Sequence, residues 1–201
     1  LVNYWFVIHP PCLYLGMVIF AVPFSFGMAA LISGELGPYW VRVTRRWTMA
    51  AWLFLTCGII LGGLWAYRQL GWGGYWAWDP VENASFLPWC AATAFLHSVM
   101  IQASRDMLKR WNVFLLIFAF FLTIEATYMT RSGEISSVHS FGENVVIGNW
   151  FRFFKWGIIG SGLFLLFYRF RDLKGNHQLD SLLSREAAFF FNNLVDRKSN
   201  V

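Results

Sequence analysis

The chain has 201 residues, of which 57% are hydrophobic, 20% aromatic and only 13% charged. A soluble domain usually carries about a quarter charged residues, so this composition excludes an ordinary water-soluble fold and predicts an all-α integral membrane protein. The formal net charge of +5 is typical of basic loops in a membrane protein. It does not indicate nucleic-acid binding, because no basic stripe accompanies a soluble fold.

Five apolar segments each approach the roughly 20 residues that a bilayer-spanning helix needs. The sequence does not begin with Met and carries no signal peptide, so we expect a processed end or a block of a longer protein. Residues 1–8 are too few to span a bilayer before the predicted break at His9-Pro10-Pro11. The predicted spans run from about Cys12 to Ser33, Trp47 to Tyr67, Phe86 to Ser104, Trp111 to Met129 and Phe153 to Tyr168.

The loop charges predict the topology. Two loops, after the first and the third span, and the tail after the fifth span are rich in Arg and Lys, and they alternate with two loops, 69–85 and 130–150, that are poor in them. Because basic loops remain inside, the latter two are predicted to lie on the outer side. Residues 1–170 then form the membrane block, and 171–201 form an inner tail whose apolar run resumes at Phe189. The cysteines Cys12, Cys57 and Cys90 lie in apolar runs without a CxxC pair, which predicts buried structural thiols.

The histidines differ in their predicted surroundings. His97 lies about 11 residues into the third span, and therefore about 16 Å below its outer end. Such depth is typical of a functional ionisable group, although a neutral histidine bonded to a neighbouring helix is the alternative. His9 and His139 are predicted at the outer ends of spans. There, two imidazoles could bind one iron from opposite faces of a porphyrin, or simply lie at the interface.

The loop 69–85, here called the tryptophan loop, contains the sequence GWGGYWAWDPVEN at positions 71–83. Glycine lets the backbone approach a flat ligand closely, and tryptophan offers a broad apolar face. An interfacial aromatic belt is the alternative, but a belt usually places single tryptophans at helix ends. Asp79, Asn83 or Ser85 could cap the helix that follows.

Two charged residues near the outer side allow two interpretations each. Glu125 lies within the fourth span, where an acid is either functional or extends to the interface. Arg131 follows the same span and could neutralise a heme propionate through a bidentate contact, or be an ordinary flanking cation.

The segment 72–88 resembles the tryptophan-rich WWD signature of the heme-handling membrane proteins of cytochrome c maturation. Four further motifs resemble the CcmF branch of that family rather than the CcsA branch. CcmF proteins are much longer than this chain, so the sequence is similar to a central block, or a split subunit, of a CcmF-type cytochrome c heme lyase. These motifs are HPPCLYLG at 9–16, TRSG at 130–133, SVHSF at 137–141 and the stretch 184–193.

The resemblance implies individual roles. His9 and His139 match the outer histidines that ligate the heme awaiting attachment, and they are the predicted catalytic pair. His97 matches a membrane histidine that ligates a second, b-type heme. The matching platform residues are Trp72, Trp76, Trp78 and Asp79, to which we add Gly73, Gly74 and Arg131 as heme-binding candidates.

The implied function is covalent attachment of heme to the CxxCH thiols of apocytochrome c, by a heme lyase whose activity can depend on partner subunits. Implied partners are apocytochrome c, a heme-handover protein and other maturation subunits, together with the lipid bilayer. Another chain or segment would supply a second intramembrane histidine. The implied location is the bacterial or mitochondrial inner membrane, with the heme site facing the periplasm or intermembrane space.

The alternative is a heme transport or handover subunit without ligase activity. An electron-transfer cytochrome b subunit is disfavoured, because such subunits generally pair histidines inside the membrane, and only His97 is predicted there.

Overall fold

The computed structural model describes residues 3–71, 73–132, 134–135, 137 and 145–175. Within this part the regular structure is helical throughout, without a strand. The prediction of an all-α membrane protein with about five spans is confirmed, because five segments are long and apolar enough to cross a membrane. The helices are α1 (Tyr4–Ile19), α2 (Ala21–Ser33), α3 (Pro38–Gln69), α4 (Pro80–Arg105), α5 (Lys109–Arg131) and α6 (Val145–Tyr168).

The predicted break at His9-Pro10-Pro11 is wrong. α1 begins at Tyr4, after the capping residue Asn3, and continues through both prolines, so that His9 lies inside the helix. Membrane helices tolerate prolines where neighbouring groups or water satisfy the carbonyls that lose a donor. The interruption comes at Phe20, between α1 and α2, which together form one span. There Pro23 lacks the N–H that would bond to the Ile19 carbonyl.

The helices also extend beyond the predicted apolar spans. α4 begins at Pro80 rather than Phe86, so the tryptophan loop, predicted as residues 69–85, is shorter than predicted and ends at Asp79. α6 begins at Val145, which shortens the predicted outer loop 130–150. Hydropathy marks only the part of a helix that matches the bilayer interior, whereas capping residues mark where the backbone hydrogen bonds begin.

Because the spans run up and down alternately, the bundle has two distinct ends. The tryptophan end carries the start of α1, the described part of the tryptophan loop and residues 132, 134, 135 and 137. The basic end carries the turns 34–37 and 106–108 and residues 169–175. α5 is the most buried span and packs between α4 and α6. The largest fully buried apolar side chains include Phe20, Leu31, Leu55, Phe95, Leu116 and Ile117.

The prediction that all three cysteines are buried is wrong for two of them. Cys57 and Cys90 are exposed on the surface of the described bundle, and Cys12 is partly buried. Spans that are apolar on every face give no sequence signal for the face that packs inward. Apolar neighbours in sequence therefore did not determine the burial of these thiols.

Candidate functional site

The tryptophan loop is shaped by side chains of the helix that follows it. The buried Glu82 carboxylate accepts hydrogen bonds from the N–H groups of Ala77 at 2.9 Å and Asp79 at 3.3 Å. Asn83 Nδ2 donates to the Trp78 carbonyl at 3.1 Å. Asp79 is the N-cap of α4 and forms a capping box with Glu82, which satisfies backbone donors at the helix start. Part of the signature therefore fixes the conformation of the loop.

Trp78 is held in an unusual backbone conformation. Its φ is 58° and its side chain is 70% exposed. A positive φ is uncommon for a bulky residue and persists only where surrounding contacts fix it, as they often do at functional sites. The hydrogen bonds of Glu82 and Asn83 on either side of Trp78 supply those contacts. The loop therefore presents an indole at the tryptophan end, 6.1 Å from the Trp76 ring and nearly perpendicular to it.

Asp79 joins the tryptophan loop to the other loop at this end. Its Oδ2 accepts hydrogen bonds from the Val81 N–H at 3.1 Å and from the Ser137 hydroxyl at 2.6 Å. Ser137 precedes His139 by two residues, and His139 lies outside the described residues. The family resemblance implies that Asp79 belongs to the heme platform, and in the structure its Oδ2 also links the two loops.

His9 packs against α3 at the tryptophan end. Its Nδ1 lies 2.7 Å from the Gly58 carbonyl oxygen. A Cβ added at Gly62, one turn further along α3, would stand 2.6 Å from His9 Cε1, so the imidazole fills space that only glycine leaves open. A neutral imidazole that donates through Nδ1–H carries its lone pair on Nε2. That is the usual state of a metal-binding histidine.

A small cavity connects His9 to the tryptophan loop. It holds about 80 Å³ and is lined by His9, Tyr75, Trp76, Glu82 and Thr127, among others. Pockets that enclose a drug-sized ligand hold about 300–1,000 Å³. The described residues therefore offer a wall against which a porphyrin could lie, and they do not enclose one.

A row of rings leads from Trp76 into the spanning part of α4, and the sequence analysis missed it. Successive ring centroids are separated by 6.0 Å from Trp76 to Phe86, 5.6 Å from Phe86 to Trp89 and 5.6 Å from Trp89 to Trp52. Both inner indole N–H groups donate to threonine hydroxyls at 2.8 Å across the α3–α4 contact. In the sequence a threonine follows each of these tryptophans by four residues, Thr56 after Trp52 and Thr93 after Trp89, and this shared spacing could have indicated the contact.

His97 lies on α4, far from His9 on α1 and closer to the basic end of the bundle. It is exposed on α4, and its Nδ1 lies 2.8 Å from the Thr93 carbonyl oxygen of its own helix. From the sequence, the alternative to a functional role for His97 was a hydrogen bond to a neighbouring helix. Because α4 begins at Pro80 and ends at Arg105, His97 stands about 26 Å from the tryptophan end of the helix and about 12 Å from its other end. It therefore lies nearer the basic end than the predicted mid-depth position.

Of the remaining predicted site residues, the structure describes Gly73, Gly74 and Arg131. Gly73 has a φ of 69°, a conformation that favours glycine, and Gly74 is half-buried beside it. Arg131 is exposed at the last residue of α5. Trp72 and His139 lie outside the described residues, as do His177 and the apolar tail near Phe189.

The structure pairs Glu125 with Lys155, a residue that the sequence analysis did not single out. Lys155 Nζ lies 2.6 Å from Glu125 Oε2 and 4.0 Å from the centre of the Tyr128 ring. Tyr128 also donates to Glu134, and Arg152 bonds to both Tyr128 and Glu134. Glu125 is therefore held within the bundle by α6, rather than extending to the interface.

Comparison with known proteins shows the family to which this chain belongs. The family model described as "Cytochrome C assembly protein" matches residues 1–136. The chain belongs to the cytochrome c assembly protein family. The predicted resemblance to CcmF-type proteins is confirmed by the individual relatives.

The relatives include "Cytochrome c-type biogenesis protein CycK" of Rhizobium meliloti, which is 48% identical over 188 residues, or 94% of this chain and 28% of that protein. "Cytochrome c-type biogenesis protein CcmF" of Haemophilus influenzae is 43% identical over 189 residues, or 94% of this chain and 29% of that protein. The solved structure of "Cytochrome c Heme Lyase CcmF" matches with a TM-score of 0.71 at 39% identity, over 96% of this chain and 30% of that one. The chain thus spans less than a third of the length of these relatives.

Proposed function

We propose that the protein carrying this chain is a cytochrome c heme lyase, and that its tryptophan end holds the heme to be attached to apocytochrome c. The observation that carries this proposal is the position of His9. Its imidazole is anchored on the Gly58 carbonyl and shares one cavity wall with Tyr75 and Trp76. The name of the structural relative, a heme lyase, supports the same function.

The residues at the tryptophan end suit a heme as substrate. The Nδ1 contact of His9 selects Nε2 as the iron-binding nitrogen. Trp76 and Trp78 offer apolar ring faces, and Arg131 offers a guanidinium for a propionate. Trp72, Gly73 and Gly74 complete the proposed platform. His139 is proposed as the second axial ligand, on the loop that Ser137 connects to Asp79.

In the proposed reaction each thiol of a CxxCH segment adds across one heme vinyl group. A carbon–sulfur bond forms, the S–H bond breaks, and the proton ends on the other vinyl carbon, so no net electron transfer occurs. The protein contributes positioning and exclusion of water rather than covalent chemistry. Two axial imidazoles would fix the iron, while the tryptophan loop would fix the plane of the ring.

His97 is proposed to hold a resident b-type heme. Its imidazole is exposed on α4, and the Nδ1 contact with the Thr93 carbonyl again selects Nε2 for iron. If bound, such a heme would offer a route by which electrons from an external reductant reach the substrate iron. Because His9, the other histidine of the described part, lies at the opposite end, we propose that a second axial histidine comes from another chain or another segment. Heme handover without ligase activity remains the second candidate, since it needs the platform but no membrane heme.

We expect His9→Ala to lower heme content and abolish cytochrome c maturation, because the axial nitrogen is lost. Covalently attached heme on apocytochrome c, detected after denaturation, measures ligase activity and distinguishes it from handover. Val7→Ala, at an exposed position of the same helix, is the control and should mature cytochrome c normally. Partial recovery of His9→Ala with added imidazole would support axial ligation. Normal maturation by a variant lacking both His9 and His139 would refute the proposal.

We expect Trp76→Ala to weaken heme binding by about 1–3 kcal/mol, because a large ring face is lost from the platform. Heme titration of the purified protein measures the change. Trp111→Ala, an exposed tryptophan beyond the turn at the basic end, is the matched control and should bind heme as the parent does. If Trp76→Ala reduces membrane insertion while heme affinity per folded molecule is unchanged, the loop is an interfacial belt.

The tryptophan end is proposed to face the periplasm or the intermembrane space, because basic segments are retained on the opposite side. Membrane-impermeant thiol reagents should therefore label a cysteine placed at Gly74 from outside in a background without native cysteines. A cysteine at Lys174, at the basic end, should be protected until the membrane is opened. The reversed labelling pattern would place the heme platform on the other side.

A further inference from the structure

Two adjacent glycines of α3 face two different parts of the proposed heme site. A Cβ added at Gly62 would stand 2.6 Å from Cε1 of His9. A Cβ added at Gly63 would stand 3.0 Å from the carbonyl oxygen of Tyr75, in the tryptophan loop. Successive residues of a helix are separated by about 100° around its axis. The imidazole and the loop backbone therefore lie side by side against one turn of α3, and both line the cavity described above.

The side chain of Tyr75 is held by the same helix one turn further along. Its ring stacks on the Tyr67 ring, with the centroids 4.5 Å apart and the ring planes 9° from parallel. Aromatic pairs at such distances attract each other beyond the area that they bury. Because residues four apart lie on one face of a helix, Gly63 and Tyr67 contact the backbone and the ring of Tyr75 along a single face of α3.

This aromatic stack is not part of the buried core. Tyr67 and Tyr75 are 50% and 55% exposed, so each ring keeps much of its surface in contact with the surroundings of the bundle. The hydrophobic stabilisation of a side chain grows with the apolar area that it buries. The stack therefore adds little to the stability of the bundle, and its effect on the loop can be measured separately from folding.

The Trp76 indole stands between two anchored neighbours. Tyr75, directly before it, is held by α3. Ala77, directly after it, donates its N–H to the Glu82 carboxylate of α4 at 2.9 Å. The position of Trp76 relative to His9 is therefore set from both sides, by α3 and by α4.

We propose that Gly63 and Tyr67 are positioning residues that set the plane and the rotation of the substrate heme relative to His9. The inference rests on the proposed function, in which His9 binds the iron and Trp76 faces the porphyrin. Axial imidazoles hold the iron but leave the ring free to turn about the axis through the iron, so a further contact has to select its orientation. Trp76, held by Tyr67 through Tyr75, supplies that contact and determines how the vinyl groups are presented to the thiols.

The test compares Tyr67→Ala with Tyr67→Phe in the intact heme lyase. The Soret circular dichroism of bound heme reports how aromatic rings are arranged around the porphyrin, and the rate of covalent attachment is measured at saturating heme. Misplacing a reacting group by about 1 Å can cost about 100-fold in rate, so a shift of a few tenths of an ångström should slow attachment about three- to tenfold. We expect this loss in Tyr67→Ala, with altered dichroism and a nearly unchanged unfolding temperature. Tyr67→Phe keeps the stacked ring and should match the parent.

Gly63→Ala displaces the same loop through its other contact with α3. The added Cβ would push the Tyr75 carbonyl by a few tenths of an ångström, so we expect altered dichroism and slower attachment here as well. Tyr39→Ala is the matched control for the tyrosine, because Tyr39 is 68% exposed at the opposite end of the same helix. Gly160→Ala is the control for the glycine, because a Cβ there meets no atom within 4 Å. Both controls should bind and attach heme as the parent does.

Parental dichroism and rate in Tyr67→Ala would overturn the proposal. An equal loss in Tyr67→Phe would overturn it in favour of a role for the hydroxyl group. A lower unfolding temperature in Tyr67→Ala, with parental dichroism and rate per folded molecule, would show that the stack serves stability alone. Failure of the proposed function is a separate result, because His9→Ala would then keep the heme spectrum of the parent, and both proposals would fall.

Discussion

Replacing Gly62 by Ala is expected to remove cytochrome c maturation almost as completely as removing His9. A Cβ at this position would lie 2.6 Å from Cε1 and 2.8 Å from Nδ1 of His9, which is closer than atoms in real proteins come. The imidazole would have to move away from the Gly58 carbonyl that holds it at 2.7 Å. Misplacing a reacting group by about 1 Å can cost about 100-fold in rate. We therefore expect a loss of that order, together with an altered iron-ligand spectrum.

Gly157→Ala provides the control for this prediction. Gly157 also lies in a spanning helix, but a Cβ built there meets no atom within 4 Å. Its replacement should leave heme content and maturation unchanged, and can stabilise the helix slightly because alanine is the better helix former. If Gly62→Ala retains the parent spectrum and activity, His9 is not held in a ligating position by α3.

Parts of this architecture follow directly from local chemistry. The five apolar spans could be predicted because bilayer thickness sets their length. The tryptophan loop could be predicted because glycine and tryptophan cluster there, and the capping role considered for Asp79 is confirmed. These features depend on residues that are neighbours in sequence, so a single chain carries enough information to place them.

Features that depend on distant packing could not be predicted. Asp79 contacts Ser137, which is 58 positions away, and the pair forms only once α4 and α5 are docked. The prolines after His9 were interpreted as a helix boundary from local sterics. The close contact between α1 and α3 keeps this stretch helical and brings His9 to Gly58 and Gly62. Burial of the cysteines depended in the same way on helix faces that apolar sequence does not distinguish.

The ion pair between Glu125 and Lys155 is the clearest feature of this kind. Each residue alone is unfavourable in a membrane segment, and each is found inside a spanning helix, with side chains 27% and 10% exposed respectively. Their separation by 30 positions gave no local signal. Charged residues in membrane helices usually pair with one another within the bundle, which is what the docking of α6 against α5 achieves here.

We expect Lys155→Met to destabilise the protein by about 3–5 kcal/mol, because it leaves the Glu125 carboxylate without its cation in a poorly solvated place. The contact of Lys155 with the Tyr128 ring is lost at the same time. Reversible unfolding of the purified protein in mixed micelles measures the change. Asp172→Asn is the control, because it breaks a more exposed pair with Arg169 and should cost about 1 kcal/mol or less.

The double variant Glu125→Gln with Lys155→Met separates the effect of the unpaired charge from the effect of the lost side-chain contacts. Removing both charges eliminates the unpaired carboxylate, so the double variant should be more stable than Lys155→Met alone, although a positive charge and a ring contact have been lost. A coupling energy near zero between the two substitutions would mean that water reaches Glu125 and solvates it without help. Strong coupling would identify the Glu125–Lys155 pair as the contact that fixes α6 against α5. The same contact would then hold Arg152 of α6 beside Glu134, which follows α5 at the tryptophan end.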